Sequence, residues 1–405
     1  MFMTLRPGST PWSYDAPWRV DAPGRSFKCR EQGKRRASSP SALVLIAGIA
    51  LALLFAASRP ASSDILRQSQ LPVPPGRINH APGIIELRSG RLLACWYSGT
   101  TEANVDTVIL CSSSSDAGAT WSAPWQIAGP GEQGIGAAAR NKSLGNIALY
   151  EDKAGRLWII HGVIQRWTLP IVGNVCVNWY CGRVDARLSL DEGRTWSAPV
   201  RFDDQSGALP RAKPLHHPML GDLVPLYREG PHTAHVRALN LAAVSPGEVP
   251  ASRILPIPGH GTIQPSLVLL PGGQVRTYLR DSRRVAIRTS VLDPATASWS
   301  PPVSTDLPNP DSGIDAFADD VGDIVVIYNP STTNRRTLAL AASRDGIHFP
   351  RRCALVPTGA EGDVAYPVVI RARDRTWHVI YSAWAKTTVR HFRFDSAWLQ
   401  RCVGR

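Results

Sequence analysis

The sequence offers few groups for covalent or metal chemistry. His216-His217 is its nearest approach to a metal site, and no further His or Glu follows at helical spacing, so zinc is not expected. No Gly-x-Ser-x-Gly turn exposes a serine nucleophile, and no Gly-x-x-x-x-Gly-Lys-Ser/Thr loop cradles a phosphate. No cofactor is implied. What remains are carboxylates, guanidinium groups and phenols at the ends of apolar runs. Glu102 and Asp106 share the loop GTTEANVD, Arg280 ends GQVRTYLR, Arg335 stands beside Arg336 in TTNRRTL, and Tyr366 opens AYPVVI. Read singly, these are a loop acid, a hairpin terminator, solvated arginines and a strand tyrosine. The residue types suit anion binding and proton transfer, but only a fold that brings them together makes that chemistry.

The elements that would do so are short strands. From about Leu71 onward, runs such as GRLLACWYSG, DTVILCSSS, GRLWIIHGVI, GDIVVIYN and TWHVIYSAW are each bounded by Gly, Pro, Asp or Asn. No long amphipathic helix follows residue 60. One turn is written repeatedly. SSSSDAGATWSAP (112–124) and RLSLDEGRTWSAP (187–199) share Ser-x-Asp-x-Gly-x-Thr-Trp-Ser-x-Pro. The Asp carboxylate can accept N–H groups of its own turn, the Gly takes positive φ, and the Trp folds back as an apolar anchor. SRDGIHFP, with Asp345, Gly346 and Phe349, is a shortened copy, and SVLDPATASWSPP, with Trp299, a degenerate one. Turns repeated tens of residues apart in an all-β chain predict radial repetition, a propeller of about six blades. One blade, around ALNLAAVSPGEVP, lacks the turn.

The 405 residues carry a net charge of +13, yet the basic residues are scattered arginines with no basic helix or interleaved aromatics, so no nucleic acid is expected as a partner. Such a surface can steer an anionic substrate. Residues 1–40 read as a disordered basic cytoplasmic tail, and SALVLIAGIALALLFAAS (41–58) as a transmembrane signal anchor. Residues 59–72 read as a linker and 73–405 as the propeller, placed outside the inner membrane. The alternative is a signal peptide cleaved near Ala56-Ala57-Ser58, releasing a secreted domain. Cys29 lies in the tail. The other six cysteines fit an oxidising compartment, with their pairing open: Cys353–Cys402 would join the last two units, and Cys176–Cys181 would close a short loop.

The repeated turn resembles the Asp box of sialidases (neuraminidases) and related six-bladed propellers. The resemblance extends over about residues 73–396: HAPGIIELRSGRLLACWYSGTTE is similar to the first blade of bacterial predicted neuraminidases, GTIQPSLVLLPGGQVRTYLRDS to the strand pair that supplies an active-site arginine, and AYPVVIRARDRTWHVIYSAW to the closing blade. The Asp box itself is a structural turn and is weak evidence of activity. The resemblance implies an exo-acting hydrolase of sialidase type that removes a terminal acidic sugar from a glycan or polysaccharide. Three arginines would hold the sugar's carboxylate, a tyrosine would attack, and an acid near the entrance would transfer the proton. Carried onto this sequence, Arg280 and Arg335 are the second and third arginines, Tyr366 the nucleophile, and Glu102, then Asp106, the acid/base. Two positions depart from the pattern. His80 stands where the first arginine is implied, with Arg77 three residues away, and Gln264 stands where a glutamate would activate the tyrosine. Another acid would then accept that proton, with Asp363, Asp315 and Glu229 as candidates. Two other readings stay open: a non-catalytic propeller that binds an acidic glycan, and a glycosidase or lyase for a different acidic sugar.

Overall fold

The computed structural model describes residues 67–131, 140–166, 168–169, 173–174 and 178–404. Six antiparallel sheets of four or five strands follow one another along the chain. The first blade is Ile78–Glu86, Leu92–Gly99, Val108–Ser114 and Trp125–Ala128, in that order from the first strand outward. The fifth is Asp315–Ala318, Ile324–Tyr328, Leu338–Ser343 and Arg351–Val356. The third blade has no Asp box: 240–252 links its last two strands, Thr233–Leu239 and Arg253–Ile257.

The apolar residues explain why the sheets form a ring. Ile324–Tyr328 is IVVIY, buried throughout. Val325 and Ile327 join a cluster with Val369, Val379 and Tyr381 of the sixth blade, while Ile324, Val326 and Tyr328 join one with Val268 and Tyr278 of the fourth. The period-2 alternation of a strand thus feeds two cores at once. Six such clusters each lie between two neighbouring blades, the last joining Trp96 of the first blade to Ile380 of the sixth.

Ring closure corrects one expectation. Arg67–Gln70, inside the expected linker, is a strand that pairs with Thr388–Phe394 and completes the sixth blade, with Gln68 opposite Phe392. RQSQ is short, polar and largely exposed, so no apolar pattern reveals it; the open edge of the last sheet recruits it. The tail 1–40, the apolar run 41–58 and residues 59–66 lie outside the described residues. Among the described residues no helix is long and apolar enough to cross a membrane.

The Asp boxes sit between the third and fourth strands of their blades. In the first, Asp116 accepts from Ser114 Oγ, Thr120 N and Thr120 Oγ1, and Gly118 takes φ 82°. Asp191 and Gly193 repeat the pattern, and Asp345 and Gly346 a shortened form. The aromatic anchors enter the inter-blade clusters: Trp121 packs beside Val368 and Ile380 of the sixth blade, Trp196 beside Leu93 of the first, and Phe349 beside Tyr278 of the fourth. Cys353 is bonded to Cys402 of the closing helix Ser396–Cys402, and Cys95 to Cys111 on the neighbouring strand. Cys181 is also disulfide-bonded, and Cys176 lies outside the described residues.

Candidate active site

Three first strands share one irregularity. In the first, fourth and sixth blades, two residues face one on the partner strand: Ala81-Pro82 against Trp96, Gln264-Pro265 against Leu279, and Tyr366-Pro367 against Tyr381. In each bulge the residue before proline is left-handed, with φ of 49° at Ala81, 54° at Gln264 and 59° at Tyr366. An L-residue held there costs about 1–3 kcal/mol, and such strain concentrates where side chains must be aimed. The strain turns Tyr366 and Gln264 toward each other: Gln264 Nε2 donates to Tyr366 Oη at 3.2 Å and to Tyr227 Oη at 3.3 Å.

Around them lies a pocket of about 150 Å³, lined by Tyr97, Glu102, Asn146, Trp179, Tyr227, Glu229, Arg280, Arg335, Tyr366 and Lys386. Five of these come from the turns between second and third strands: Glu102 in the first blade, Trp179 in the second, Glu229 in the third, Arg335 in the fifth and Lys386 in the sixth. Those turns leave the sheets at the end opposite the Asp boxes. Arg280 is held at both ends of its guanidinium: Nε donates to Asp311 at 2.7 Å and Nη1 to Tyr366 Oη at 2.7 Å. Arg335 Nη2 donates to the Asp311 carbonyl, so one left-handed residue, φ 59°, orients both arginines.

A third guanidinium lies beneath. Arg211 is 1% exposed, stands 4.7 Å over the Tyr366 ring and donates to the Pro367 carbonyl, while its Nε and Nη1 have no partner. Gln264 Oε1 also lacks a partner. Gly313 makes this packing possible, since a Cβ there would lie 3.1 Å from Gln264 Oε1, 3.2 Å from Arg211 Nε and 3.3 Å from Tyr366 Cδ2.

The phenol oxygen of Tyr366 accepts from Arg280 and Gln264, which fills its two lone pairs and leaves its own proton facing the pocket. Tyr227 Oη accepts from Asn146 Nδ2 at 2.9 Å and from Gln264, and its proton is left for the neighbouring Glu229. Burial pushes the Glu229 carboxyl upward, against the pull of Arg280, and pushes the Tyr227 phenol up as well. Glu102 Oε1 accepts from Tyr97 Oη at 3.0 Å and Lys386 Nζ at 2.6 Å.

Tyr366, Arg280, Arg335 and Glu102 are thus brought together, with Gln264 directly beneath. Four other expectations are corrected. His80 is 1% exposed, packs on the Tyr366 ring at 4.3 Å and bonds Ser382 Oγ through Nδ1. Burial first, and then the charges of Lys386, Arg211, Arg335 and Arg280, hold its imidazole well below the usual range, so it brings no positive charge to the pocket, whose lining does not include it. Asp106 braces its own loop: it accepts from Thr100 N and Oγ1 and pairs with Arg77 at 3.1 Å. Asp315, 1% exposed, ties Ser266 Oγ, Lys213 Nζ and Val369 N of three other blades. Asp363 is exposed and lines no part of the pocket. Arg336 is exposed as well, leaving Arg335 as the inward one. Sequence reasoning missed Arg211, Asp311, Lys386, Tyr227 and Trp179. One signal for Arg211 existed: it follows Leu209-Pro210, in the first strand of its blade, as Pro82, Pro265 and Pro367 mark the bulged ones. No group of His, Cys, Asp and Glu among the described residues could hold a metal ion.

Residues 90–379 match the family model described as a BNR repeat-like domain. Comparison with curated protein sequences returned no match. Among solved structures, the chain is similar to the intramolecular trans-sialidase of Ruminococcus gnavus, determined with oseltamivir carboxylate, at TM-score 0.63 and 13% identity over 79% of this chain and 95% of that one. A sialidase of Streptococcus pneumoniae aligns at TM-score 0.63 and 13% identity, over 81% of this chain and 71% of that one. A protein of unknown function from Dyadobacter fermentans aligns at TM-score 0.62 and 12% identity, over 82% and 99%. At these identities the likeness is one of fold, the six-bladed sialidase-like propeller.

Proposed function

The chain belongs to the BNR repeat-like domain family, and on that premise we propose that the pocket is the active site of an exo-acting glycoside hydrolase of sialidase type, cleaving a terminal acidic sugar from a glycan or polysaccharide. The observation that carries this reading is Tyr366: its oxygen is held by Arg280 at 2.7 Å inside a pocket that also presents Arg335 and two carboxyl groups. A small pocket suits one terminal residue of a chain. Arg280 and Arg335 grip the sugar's carboxylate as planar forks that stay charged. Tyr366 Oη attacks the anomeric carbon, the C–O bond to the leaving group breaks, and Glu102 gives that oxygen its proton. Glu102 then takes a proton from the water that releases the sugar from Tyr366.

The phenol proton cannot go to Gln264, whose Nε2 already donates to Tyr366. It leaves into the pocket, where Glu229 and Glu102 are the carboxyl groups among the described lining residues. Burial raises the proton affinity of Glu229, which supports it as the acceptor. Gln264 also favours a second reading, a propeller that binds an acidic glycan without cleaving it, because an amide provides no base.

Release of methylumbelliferone from its sialoside separates the two. The wild type is expected to turn over, and Tyr366→Phe to lose about a thousandfold or more in kcat while folding normally, since it removes a covalent nucleophile. A folded wild type that binds the sialoside without cleaving it establishes the binding reading. Cleavage of uronides in place of sialosides assigns a different acidic sugar.

A further inference from the structure

The position at which a first carboxylate-binding arginine is implied holds the buried, neutral His80. The pocket nevertheless presents a third cation beside Arg280 and Arg335. It is Lys386, from the turn between the second and third strands of the sixth blade. Three successive residues in that turn are left-handed without a glycine: Trp384 at φ 51°, Ala385 at 51° and Lys386 at 72°. L-residues visit this region singly, so a run of three needs outside support. Trp384 N–H donates to the Glu361 carbonyl at 2.9 Å, Ala385 N–H to that of Asp363 at 3.3 Å, and Asn79 N–H to that of Lys386 at 2.6 Å. The last bond fixes Lys386 against the residue next to His80.

A backbone held this far from its preferred region at a pocket mouth is a device for placing a side chain. What it places is an ammonium that donates to Glu102 Oε1 at 2.6 Å, on a side chain that keeps 31% exposure. Two of its three N–H groups remain for a ligand. The charge missing at His80 is thus supplied from the neighbouring turn of the same wall.

We propose that Lys386 is a specificity-determining residue, the third cationic contact of the bound sugar's carboxylate, and that with Arg280 and Arg335 it sets the preference for acidic over neutral sugars. This rests on the acidic-sugar reading above. The competing role for Lys386 is only to neutralise Glu102.

The test compares binding of 2-deoxy-2,3-dehydro-N-acetylneuraminic acid with that of its methyl ester, by calorimetry on the whole propeller. Lys386→Met should lower the acid-over-ester preference at least tenfold, Lys386→Arg should restore most of it, and Glu102→Gln should leave it unchanged. Unaltered melting curves establish that each variant is folded. A preference within twofold of wild type in Lys386→Met overturns the proposal, as does an equal loss in Glu102→Gln, which would mean that Lys386 acts through Glu102. If the wild type binds neither probe, the sialidase reading fails, and glucuronic acid against glucose becomes the pair. A tenfold drop in that ratio in Lys386→Met then supports the proposal; an unchanged ratio, or no binding of either sugar, overturns it.

Discussion

The two faces of the ring are ends of the same strands, yet they are built on opposite terms. On the Asp-box face one turn is used again and again, with Ala117 or Glu192 left-handed just before the left-handed glycine, and its carboxylate is satisfied within the turn. On the pocket face the turns share no sequence. There tyrosine, glutamine, aspartate and lysine carry the positive φ, and Arg211 and Gln264 keep buried polar atoms without partners. A turn that only has to close a hairpin converges on its cheapest solution. Both faces hold non-glycine residues at positive φ, but on the pocket face the turns must each present one particular side chain, and the blades present different ones. The division makes a sharp expectation: changes on the pocket face should move activity far more than stability, and changes on the other face the reverse.

The largest effect expected from that division is at Gly313. An added Cβ would press on Gln264, Arg211 and the Tyr366 ring together. Gly313→Ala should displace the nucleophile by a fraction of an ångström and cost about a hundredfold in kcat/KM, with a melting temperature lowered by only a few degrees. Kinetics and calorimetry on one sample check it. A large loss of stability with activity intact would break the comparison.

An intermediate effect is expected at the seam where the ring closes, on the side of the Asp boxes. His378 Nδ1 and His391 Nε2 are 2.9 Å apart and stacked, and His391 lies against Gly118 and bonds Ser69 Oγ of the closing strand. Burial pushes His378 down to about 4, helped by Arg393 and opposed by Asp374, and pushes His391 down to about 3, helped by His378. Both are neutral in the fold, whereas an unfolded histidine titrates at about 6.5. Their contribution is fully present above about pH 6.5 and is lost as pH falls through 4 and then 3. The melting temperature should therefore drop by several degrees between pH 6.5 and 4, and His391→Gln should flatten that slope without altering its value of KM at pH 7. Melts across this range, wild type against variant, decide the matter; parallel slopes would place the acid sensitivity elsewhere.

The same division explains what could be read from the chain. Asp116, Gly118 and Trp121 recur as Asp191, Gly193 and Trp196 because a local turn needs the same residues each time, so the propeller and the missing box of its third blade were legible. Tyr366, Arg280, Arg335 and Glu102 were reachable through resemblance, since each keeps its place in a strand pair. His80 was misjudged because its burial depends on Tyr366 and Ser382, distant in sequence. Asp315 was misjudged for the same reason, its partners coming from three other blades. Lys386 was invisible because no local pattern marks three left-handed residues held by bonds from elsewhere in the fold. The strand Arg67–Gln70 was invisible because its pattern belongs to the sheet edge it joins.

The smallest effect, and the one that sharpens the comparison most, is at the repeated aspartate. Asp191 accepts from Thr195 N at 2.8 Å, Thr195 Oγ1 at 2.6 Å and Ser189 Oγ at 2.8 Å, and these bonds, that of the Thr195 hydroxyl foremost, hold its carboxyl down to about 2. The group faces solvent, so its removal resembles loss of a helix N-cap, about 1 kcal/mol, and lowers the melting temperature by roughly 2 °C in a domain of this size. Asp191→Ala should leave kcat and KM unchanged. Asp116 and Asp345 occupy equivalent turns in other blades, with no shared partners, so the three substitutions together should add, giving about three times the single shift. Additive loss of stability with constant kinetics would show that the Asp-box face only holds the blades. A kinetic loss growing with each substitution would mean that the turns reach the pocket through the strands they cap, and that the two faces are one mechanical unit.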